Sequence, residues 1–429
     1  MLRHRIEGWV DPAAAWAALL GDEPNSFWLD SAQGTGWSYL GPGGRVLGGP
    51  GVLDELRAEL GRYEVPATGG FALGWVGWLG YELRGATMQA PLTHTSRYPD
   101  AAMMFADRAL AFDHDAGEVW LLGLGAAWTG ELAAWRDATL AALARAQTPS
   151  PARNPSATAT WHTGDEDYLR QIAACQAAIR EGDAYQLCLT TEASVPGAFD
   201  PFATYLALRA SSPAHHGGLL RVGEVALISA SPEQFLSVSP DGTVESRPIK
   251  GTRGRGATPR ADAALRAELL ASDKERAENL MIVDLMRNDI GRVSELGSVV
   301  VPELFAVETY EHVHQLVSTV RGRLAPGLDA LDAVAACFPA GSMTGAPKRS
   351  ATTILDALEG RARGIYAGAF GYLGLDGRVD LAMVIRSIVL DGDGATVGAG
   401  GGITALSVPL EELAEVRLKA AALLAVLGA

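Results

Sequence analysis

The chain has 429 residues, of which 48% are hydrophobic and 20% are charged, a composition typical of a globular protein rather than a disordered or fibrous one. Its formal net charge of −15 excludes a large electropositive surface for nucleic acid, although a few basic groups can still bind a small anion locally. Three scattered cysteines without a CxxC pair exclude a disulfide framework and a zinc site.

The N-terminal residues lack the apolar core of a signal peptide, and no stretch approaches the length of about eighteen apolar residues that a membrane helix requires. We therefore expect a soluble, cytoplasmic protein with no membrane partner and no nucleic-acid partner. All ten tryptophans lie between Trp9 and Trp161. Residues 147–160 are rich in Pro, Ser, Thr and Ala, which indicates a linker or a long surface loop. They predict a Trp-rich region over 1–155 and a second region over 156–429.

The predicted elements mix helices with antiparallel hairpins. Residues 69–83 interleave glycine with large apolar residues, as in closely packed core strands, although a regulatory pocket or a docking surface stays open. Residues 166–182 form an amphipathic helix that ends at Gly182. Asp241 and Gly242 mark a hairpin turn. Without a βαβ repeat, this mixture predicts an α+β fold.

Two further helices carry acidic residues. Residues 273–291 place Glu278 on an apolar face, where a carboxylate needs a partner. A last helix, from about Pro409 to Leu427 with Ser407 as its N-cap, carries Glu412 and Glu415. With Lys419 four residues after Glu415, this pattern fits either a surface salt bridge or a Mg²⁺ site.

Two glycine-rich segments do not match nucleotide-binding motifs. GSMTGAPKRS (341–350) lacks Walker A spacing, and GAGGGI (398–403) lacks the third glycine of a dinucleotide fingerprint. Both can still offer backbone N–H groups to a carboxylate. His312 and His314 form an HxH pair, but without a third ligand nearby a structural role is favoured over a metal site. Lys250, in RPIKGTRGRG (247–256), fits a phosphate-binding, salt-bridging or reacting lysine.

Taken together, these segments resemble the chorismate-binding family over roughly residues 160–425. The resemblance implies a fold of antiparallel β-sheets packed together and flanked by helices, with the catalytic region at 156–429. The matching segments are YQLCLT (185–190), SPEQFL (231–236), RPIKGT (247–252), ERAENLMIVDLMRNDIGRV (275–293), LVSTV (316–320), FPAGSMTGAPK (338–348), YAGAFGYL (366–373), IRS (385–387), AGGGI (399–403) and EELAEVRLK (411–419).

The resemblance also implies how chorismate, a dianion, is bound. Mg²⁺ holds the ring carboxylate through glutamates that match Glu278 and Glu415, with Glu412 as a water-mediated ligand. A metal, an arginine and oriented N–H groups would replace the water around such a substrate. The other matched substrate contacts are Gln186, Arg386, Tyr372, Gly400, Gly402, Thr252, Thr344, Gly251 and Lys419.

Two positions separate the branches of this family. Branches that add water carry a lysine base at the position of Gln186, and a glutamine cannot be a base. PIKGT, with Lys250, is the pattern of the branch that aminates chorismate to 4-amino-4-deoxychorismate on the para-aminobenzoate and folate route. There the lysine attacks C2 and expels the C4 hydroxyl, and ammonia then replaces the lysine. Glu233 matches the proposed general acid.

A lysine nucleophile must be neutral, whereas an unperturbed lysine, with a pKa of about 10.4, is almost fully protonated at pH 7. We therefore expect desolvation around Lys250 and positive potential from Arg247, Arg253 and Arg255. Gln315 departs from the family pattern, which often has histidine there. Leu406 also departs from the family pattern, which often has aspartate there, and we assign no function to this difference.

The chain shows no GxCxG nucleophile elbow, so we expect ammonia from a separate glutamine amidotransferase (glutaminase) subunit. The same-class alternative is the branch that releases pyruvate and forms anthranilate. A non-catalytic chorismate-binding protein is the different-class alternative. SFWLDS (26–31) resembles a tryptophan-binding region only loosely, so tryptophan binding is not predicted.

Overall fold

The computed structural model describes residues 1–149, 154, 156–310 and 313–429. His312 and the predicted boundary at residue 155 lie outside these residues. The described residues form an α+β fold of 22 strands and 11 α-helices, as the sequence predicts. No helix among them is long and apolar enough to span a bilayer.

The strands are β1 (Leu2–Ile6), β2 (Asn25–Asp30), β3 (Trp37–Pro42), β4 (Val46–Gly48), β5 (Gly74–Leu79), β6 (Ala101–Ala106), β7 (Arg108–Asp113), β8 (Glu118–Gly123), β9 (Thr160–Trp161), β10 (Gln186–Pro196), β11 (His216–Val222), β12 (Val225–Ser231), β13 (Gln234–Val238), β14 (Thr243–Ser246), β15 (Ile249–Gly254), β16 (Val300–Thr309), β17 (Val313–Arg323), β18 (Gly345–Ala346), β19 (Ala369–Gly374), β20 (Val379–Met383), β21 (Ser387–Asp391) and β22 (Gly394–Ile403). The helices are α1 (Pro12–Leu19), α2 (Val52–Leu60), α3 (Arg84–Thr87), α4 (Gly130–Leu143), α5 (Asp165–Glu181), α6 (Pro201–Ser211), α7 (Pro259–Ala271), α8 (Asp273–Gly291), α9 (Ala330–Cys337), α10 (Lys348–Glu359) and α11 (Pro409–Val426).

The strands form two antiparallel sheets. The first has 12 strands in the order β1-β8-β7-β3-β2-β11-β12-β21-β22-β10-β18, with β9 beside β10. The second has 10 strands in the order β15-β17-β14-β13-β20-β19-β5-β6-β4, with β16 beside β17. Strands from both sequence regions are hydrogen-bonded within each sheet, since β2 pairs with β11 and β5 pairs with β19. The change in composition near residue 155 therefore does not divide the sheets.

The two sheets pack face to face around an apolar core. One cluster joins Phe27 and Leu220 of the first sheet to Trp78 and Phe370 of the second. A second cluster lies between the first sheet and helices α1, α5 and α11, and a third lies between the second sheet and helices α2, α8 and α9. This layering follows from strands that are apolar on both faces, because each sheet must cover both of its sides.

Several local predictions agree with the structure. Helix α8 spans the predicted residues, with Ser272 as its N-cap. Helix α5 ends at Gly182, which adopts a left-handed φ of 89° that glycine tolerates without strain. The three cysteines are buried and unbonded. The prediction of Ser407 as the N-cap of α11 is wrong: Val408 is the N-cap, and the Ser407 hydroxyl donates instead to Glu412 Oε1 at 2.8 Å.

Candidate active site

A cleft of about 750 Å³ opens where β22 of the first sheet meets β15 of the second, with α8 and α11 along its sides. Its size is typical of a small-molecule site. Most of the predicted site residues lie on its wall, although they come from segments far apart in the chain. They are Glu233, Lys250, Gly251, Thr252, Glu278, Arg386, Gly400, Gly402, Glu412, Glu415 and Lys419.

Lys250 lies on β15, next to an irregularity in the pairing of this strand with β17 between Ile249 and Thr252. Gly251 permits the irregularity because its φ is 81°. A Cβ there would lie 2.8 Å from Leu269 Cδ1 and 2.9 Å from the Glu275 carboxyl group, so other residues would not fit without rearrangement. Any replacement of Gly251 would therefore disturb the strand that carries Lys250.

The arginines near Lys250 are all paired with carboxylates. Arg247 pairs with Glu308, Arg253 with Glu268 and Glu275, and Arg255 with Asp262. Their charges are locally balanced, so the expected positive potential around Lys250 is not supported. Lys250 itself makes no ion pair with a carboxylate of the described residues. Its charge nevertheless acts to lower the pKa values of the Glu233, Glu278 and Glu415 carboxyls.

Glu233 lies just after β12 and is only 8% exposed. Burial raises the pKa of its carboxyl to about 7, although the charges of Lys250 and Lys419 and the nearby Ser342 hydroxyl oppose this rise. Its backbone carbonyl accepts a hydrogen bond from the Met383 N–H at 3.0 Å, which fixes the start of the side chain. A buried carboxyl that holds its proton near neutral pH has the property that a general acid needs.

The three glutamates predicted to hold Mg²⁺ line the same side of the cleft. Burial raises the pKa of Glu278 on α8. Partial burial also acts to raise the pKa of Glu415 on α11, but the positive charges of Lys419, Lys274 and Lys250 together lower it, with Lys419 Nζ 2.7 Å from Glu415 Oε1. Lys274 Nζ lies 4.0 Å from one oxygen each of Glu278 and Glu412.

Within the described part of the chain, no three His, Cys, Asp or Glu side chains converge on one point in a metal-ligand arrangement. The Lys274 ammonium lies near the carboxylates of both Glu278 and Glu412 and supplies positive charge to them. Gly401 has no side chain to crowd the carboxylates, whereas a Cβ at this position would lie 3.2 Å from Glu412 Oε2. Carboxylate oxygens are the donors that Mg²⁺ prefers, so the chemistry of these side chains fits the ion.

Arg386 offers a guanidinium group to the cleft from a strained position. Its φ is 51°, a left-handed conformation that is uncommon for a residue other than glycine. Desolvation in the cleft lowers the pKa of its side chain, although the residue remains exposed to solvent, and no described carboxylate forms an ion pair with it. An arginine that lines the cleft without a protein counter-ion is suited to bind an anionic ligand.

The glycines of β22 bring the backbone to the cleft surface. A Cβ on Gly400 would lie 2.7 Å from the Leu189 carbonyl oxygen, and one on Gly402 would lie 2.3 Å from Gln186 Nε2. The Gly400 carbonyl also accepts a hydrogen bond from Lys419 Nζ at 2.9 Å. Only glycine fits at these two positions without a shift of the neighbouring strand or side chain.

Three predicted substrate contacts do not line the cleft. Gln186 is 1% exposed and lies behind Gly402. Thr344 is buried, and its hydroxyl donates to backbone carbonyls of its own loop. Tyr372 lies in the core between the sheets, where its ring packs against Tyr39 and Phe71 with centroids 6.1 and 4.8 Å away.

Of the two tyrosines in YAGAFGYL, the first, Tyr366, lines the cleft. It precedes β19, and its ring packs over Gly398, where a Cβ would lie 2.1 Å from the ring. Sequence comparison assigned the contact to Tyr372 instead, because both tyrosines belong to the same matched segment. Gln315 also lines the cleft, whereas the adjacent His314 is hydrogen-bonded to Thr309 and Asp262, as strand alternation predicts.

Comparisons with known proteins identify relatives of this chain. The chain is 43% identical to an aminodeoxychorismate synthase of Streptomyces pristinaespiralis, over 97% of this chain and 64% of the relative. It is 47% identical to an aminodeoxychorismate synthase of Streptomyces griseus, over 87% of this chain and 52% of the relative. The chain thus spans between half and two thirds of the length of these curated relatives.

The fold is shared with the crystal structure of anthranilate synthase component I from Streptococcus pneumoniae. That structure is 30% identical in sequence, with a TM-score of 0.77 over 99% of this chain and 93% of the other. The family model described as chorismate binding enzyme matches residues 25–425, almost the whole chain. This chain belongs to the family of chorismate binding enzymes.

Proposed function

We propose that the chain aminates chorismate at C4 to give 4-amino-4-deoxychorismate, a precursor of para-aminobenzoate and folate. The observation that carries this proposal is the position of Lys250 in the cleft, without an ion pair to the described residues and with the buried carboxyl of Glu233 nearby. The aminodeoxychorismate synthases among the relatives support the same reaction. Gln186 supports it too, since this residue cannot activate water as a base.

The reaction begins when the neutral amine of Lys250 attacks C2 of the ring. Both conjugated double bonds of the ring shift as the C4–O bond breaks, and Glu233 donates its proton so that the hydroxyl leaves as water. Ammonia then adds at C4, both double bonds shift back, and the C2–N bond breaks to restore the Lys250 amine. A proton from the new ammonium group at C4 returns to Glu233. The net change replaces one hydroxyl by one amine and releases water.

The two carboxylates of chorismate would be bound on different sides of the cleft. Arg386 would bind one of them through charge-assisted hydrogen bonds. Glu278 and Glu415 would hold a Mg²⁺ ion, with Glu412 acting through water, and the bound ion would supply positive charge to the ring carboxylate. Because Glu412 already accepts a hydrogen bond from Ser407, its carboxylate is oriented without the ion.

Ammonia would come from a separate glutamine amidotransferase subunit. Support for a partner comes from the chemistry, since a glutamine amide is not nucleophilic and its hydrolysis requires a second site. We propose that this partner releases ammonia to the cleft, so free ammonium at high concentration should replace it.

Product identification tests the proposal. Purified chain with chorismate, Mg²⁺ and ammonium should form a product with the mass of 4-amino-4-deoxychorismate. Chelation of divalent cations should stop the reaction, and glutamine alone should not replace ammonium. Fluorescent anthranilate formed without an added lyase would instead establish the anthranilate-forming reaction, which the similarity to anthranilate synthase component I favours as the second candidate. Binding of chorismate without turnover would indicate a binding protein.

The pH dependence of kcat should report the protonation state of the general acid. Because burial raises the pKa of Glu233 to about 7, its proton-donating form is present below that pH and is lost as the pH rises. We therefore expect kcat to fall on the alkaline side of about pH 7. Glu233→Gln should lower kcat by about 10²- to 10⁴-fold and remove this alkaline limb. A variant with nearly unchanged kcat and an unchanged limb would rule out Glu233 as the acid.

A further inference from the structure

The turn between β22 and α11, residues 404–407, is closed by its own hydrogen bonds. The Thr404 N–H donates to the Ser407 hydroxyl at 3.1 Å, and the Ser407 N–H donates to the Thr404 carbonyl at 3.3 Å. The Leu406 N–H donates to the Thr404 hydroxyl at 3.3 Å. A serine hydroxyl has one proton to donate, and because that of Ser407 already accepts from Thr404, its proton is available to an acceptor outside the turn.

That acceptor is Glu412, in the first turn of α11. Ser407 Oγ donates to Glu412 Oε1 at 2.8 Å, and both residues are buried. Helix α11 begins without a side-chain cap, because its N-cap is Val408. A serine hydroxyl next to a helix start usually satisfies the first backbone N–H groups of the helix. Here the hydroxyl orients a carboxylate of the cleft wall instead.

Helix α5 holds the same turn through a side-chain amide. Gln176 Nε2 donates to the Ser407 carbonyl at 2.7 Å and to the Thr404 carbonyl at 3.4 Å. Ile172 and Cys175 pack α5 into the apolar core, and no residue of this helix lines the cleft. A helix outside the cleft is therefore connected to Glu412 through two successive hydrogen bonds, both of them through Ser407.

These contacts use only one oxygen of the Glu412 carboxylate. Among the described residues, Ser407 is the one hydrogen-bond donor to Glu412, and Lys274 Nζ lies 4.0 Å from the same oxygen, Oε1. The other oxygen, Oε2, lies beside Gly401, which also lines the cleft. The bond from Ser407 thus restricts the rotamers of the glutamate and leaves Oε2 available for a ligand.

We propose that Ser407 is the positioning residue for the Glu412 carboxylate and that Gln176 holds Ser407 in place. Their joint effect is to keep Oε2 where the water shell of a bound Mg²⁺ ion can donate to it. A carboxylate that is oriented in advance loses less conformational entropy when the ion binds. This inference rests on the proposed metal site, and it explains why the hydroxyl of Ser407 is not used as a helix cap.

Direct measurement of metal binding tests the role of Ser407. Mn²⁺ prefers the same oxygen ligands as Mg²⁺, and loss of the free-ion EPR signal follows its binding, with chorismate present and ammonium absent. Ser407→Ala should raise the Kd for Mn²⁺ by about 10- to 100-fold, the usual effect of removing a group that orients a metal ligand. In the Glu412→Ala background it should add no further loss, because it acts through that carboxylate. An unchanged Kd in Ser407→Ala, or a full additional loss in the Glu412→Ala background, would overturn the inference.

Two glutamines on α5 separate positioning from stability. Gln171 Nε2 donates to the Leu358 carbonyl at 2.7 Å, the same kind of bond as that of Gln176, but this bond holds the end of α10. Gln171→Leu and Gln176→Leu should both lower the melting temperature. Only Gln176→Leu should also raise the Kd for Mn²⁺, by up to about tenfold. Equal Kd values in the two variants would remove Gln176 from the proposal.

The metal site itself has a separate test. Glu278→Gln/Glu415→Gln lacks both carboxylates that would bind the ion directly, so it should no longer bind Mn²⁺ in the same assay. If this variant keeps the wild-type Kd, the proposed metal site fails, and this inference fails with it. If the variant loses Mn²⁺ while Ser407→Ala keeps the wild-type Kd, only this inference fails.

Discussion

Replacing Lys250 by methionine should lower kcat by on the order of 10³-fold or more, because the covalent route is lost as a unit. Methionine matches the length of the lysine stem and needs no counter-ion. Among the described residues, no carboxylate forms an ion pair with Lys250, so the substitution leaves no such partner without its cation. The folded state should therefore keep its stability. Steady-state kinetics with saturating ammonium, together with a urea unfolding curve, would measure both effects.

Lys250→Arg separates a nucleophile from a binding charge. Arginine keeps the positive charge but does not lose its proton at any pH that the protein tolerates. If Lys250 forms a bond to C2, the arginine variant should be as inactive as the methionine variant. If the lysine only attracts the carboxylates of chorismate, the arginine variant should recover most of the activity, and the nucleophile assignment would be wrong.

Mass spectrometry gives an independent measurement. Wild-type protein mixed with chorismate in the absence of ammonium should carry an adduct with the mass of chorismate less one water, and peptide mapping should place it at Lys250. The adduct should be absent from both variants. Its absence from the wild type under rapid quenching would argue that ammonia attacks the ring directly.

The sequence predicts best the features that depend on local backbone chemistry. The bounds of α8 follow from a Ser272 cap and an apolar repeat, and Gly182 ends α5 because it can adopt a positive φ. The matched segments also lead to most of the cleft wall. The sequence identifies Gly400 and Gly402 as site residues because these positions require glycine. A side chain there would overlap the neighbouring strand or side chain.

The sequence predicts less well which side chain of a segment faces the cleft. Tyr366 and Tyr372 stand in the same matched segment, but the strand that begins at Ala369 directs Tyr372 into the core between the sheets. Nothing in local periodicity shows where that strand begins relative to the cleft. A matched segment therefore identifies the neighbourhood of a contact more reliably than the residue that makes it.

Partners that are distant in sequence were the least predictable. The arginines around Lys250 looked like a source of positive potential, yet Arg247 pairs with Glu308 on another strand. Ser342 and Glu233 are more than a hundred positions apart in the sequence, yet both line the cleft. Such contacts depend on tertiary structure, because no periodic pattern connects them.

Arg386 should show opposite effects on binding and stability. Its left-handed backbone costs stability in the free protein, and a carboxylate of the substrate would give its guanidinium a counter-ion that the described residues do not provide. Arg386→Ala should raise the KM for chorismate by about 10- to 100-fold, the loss expected for hydrogen bonds to a charged group. Binding of chorismate by this variant as tight as by the wild type would contradict the assignment.

Comparison of Arg386→Ala with Arg386→Gly isolates the backbone strain. Both variants lack the guanidinium and should bind chorismate equally poorly, but glycine adopts a φ of 51° without the steric conflict of a Cβ. We expect Arg386→Gly to be more stable than Arg386→Ala by about 1 kcal/mol in urea unfolding, since strain at such a position costs roughly that amount. Equal stabilities would mean that the backbone is relaxed at this position. A more stable glycine variant would show that an arginine is kept here at the expense of folding stability, because substrate binding requires it.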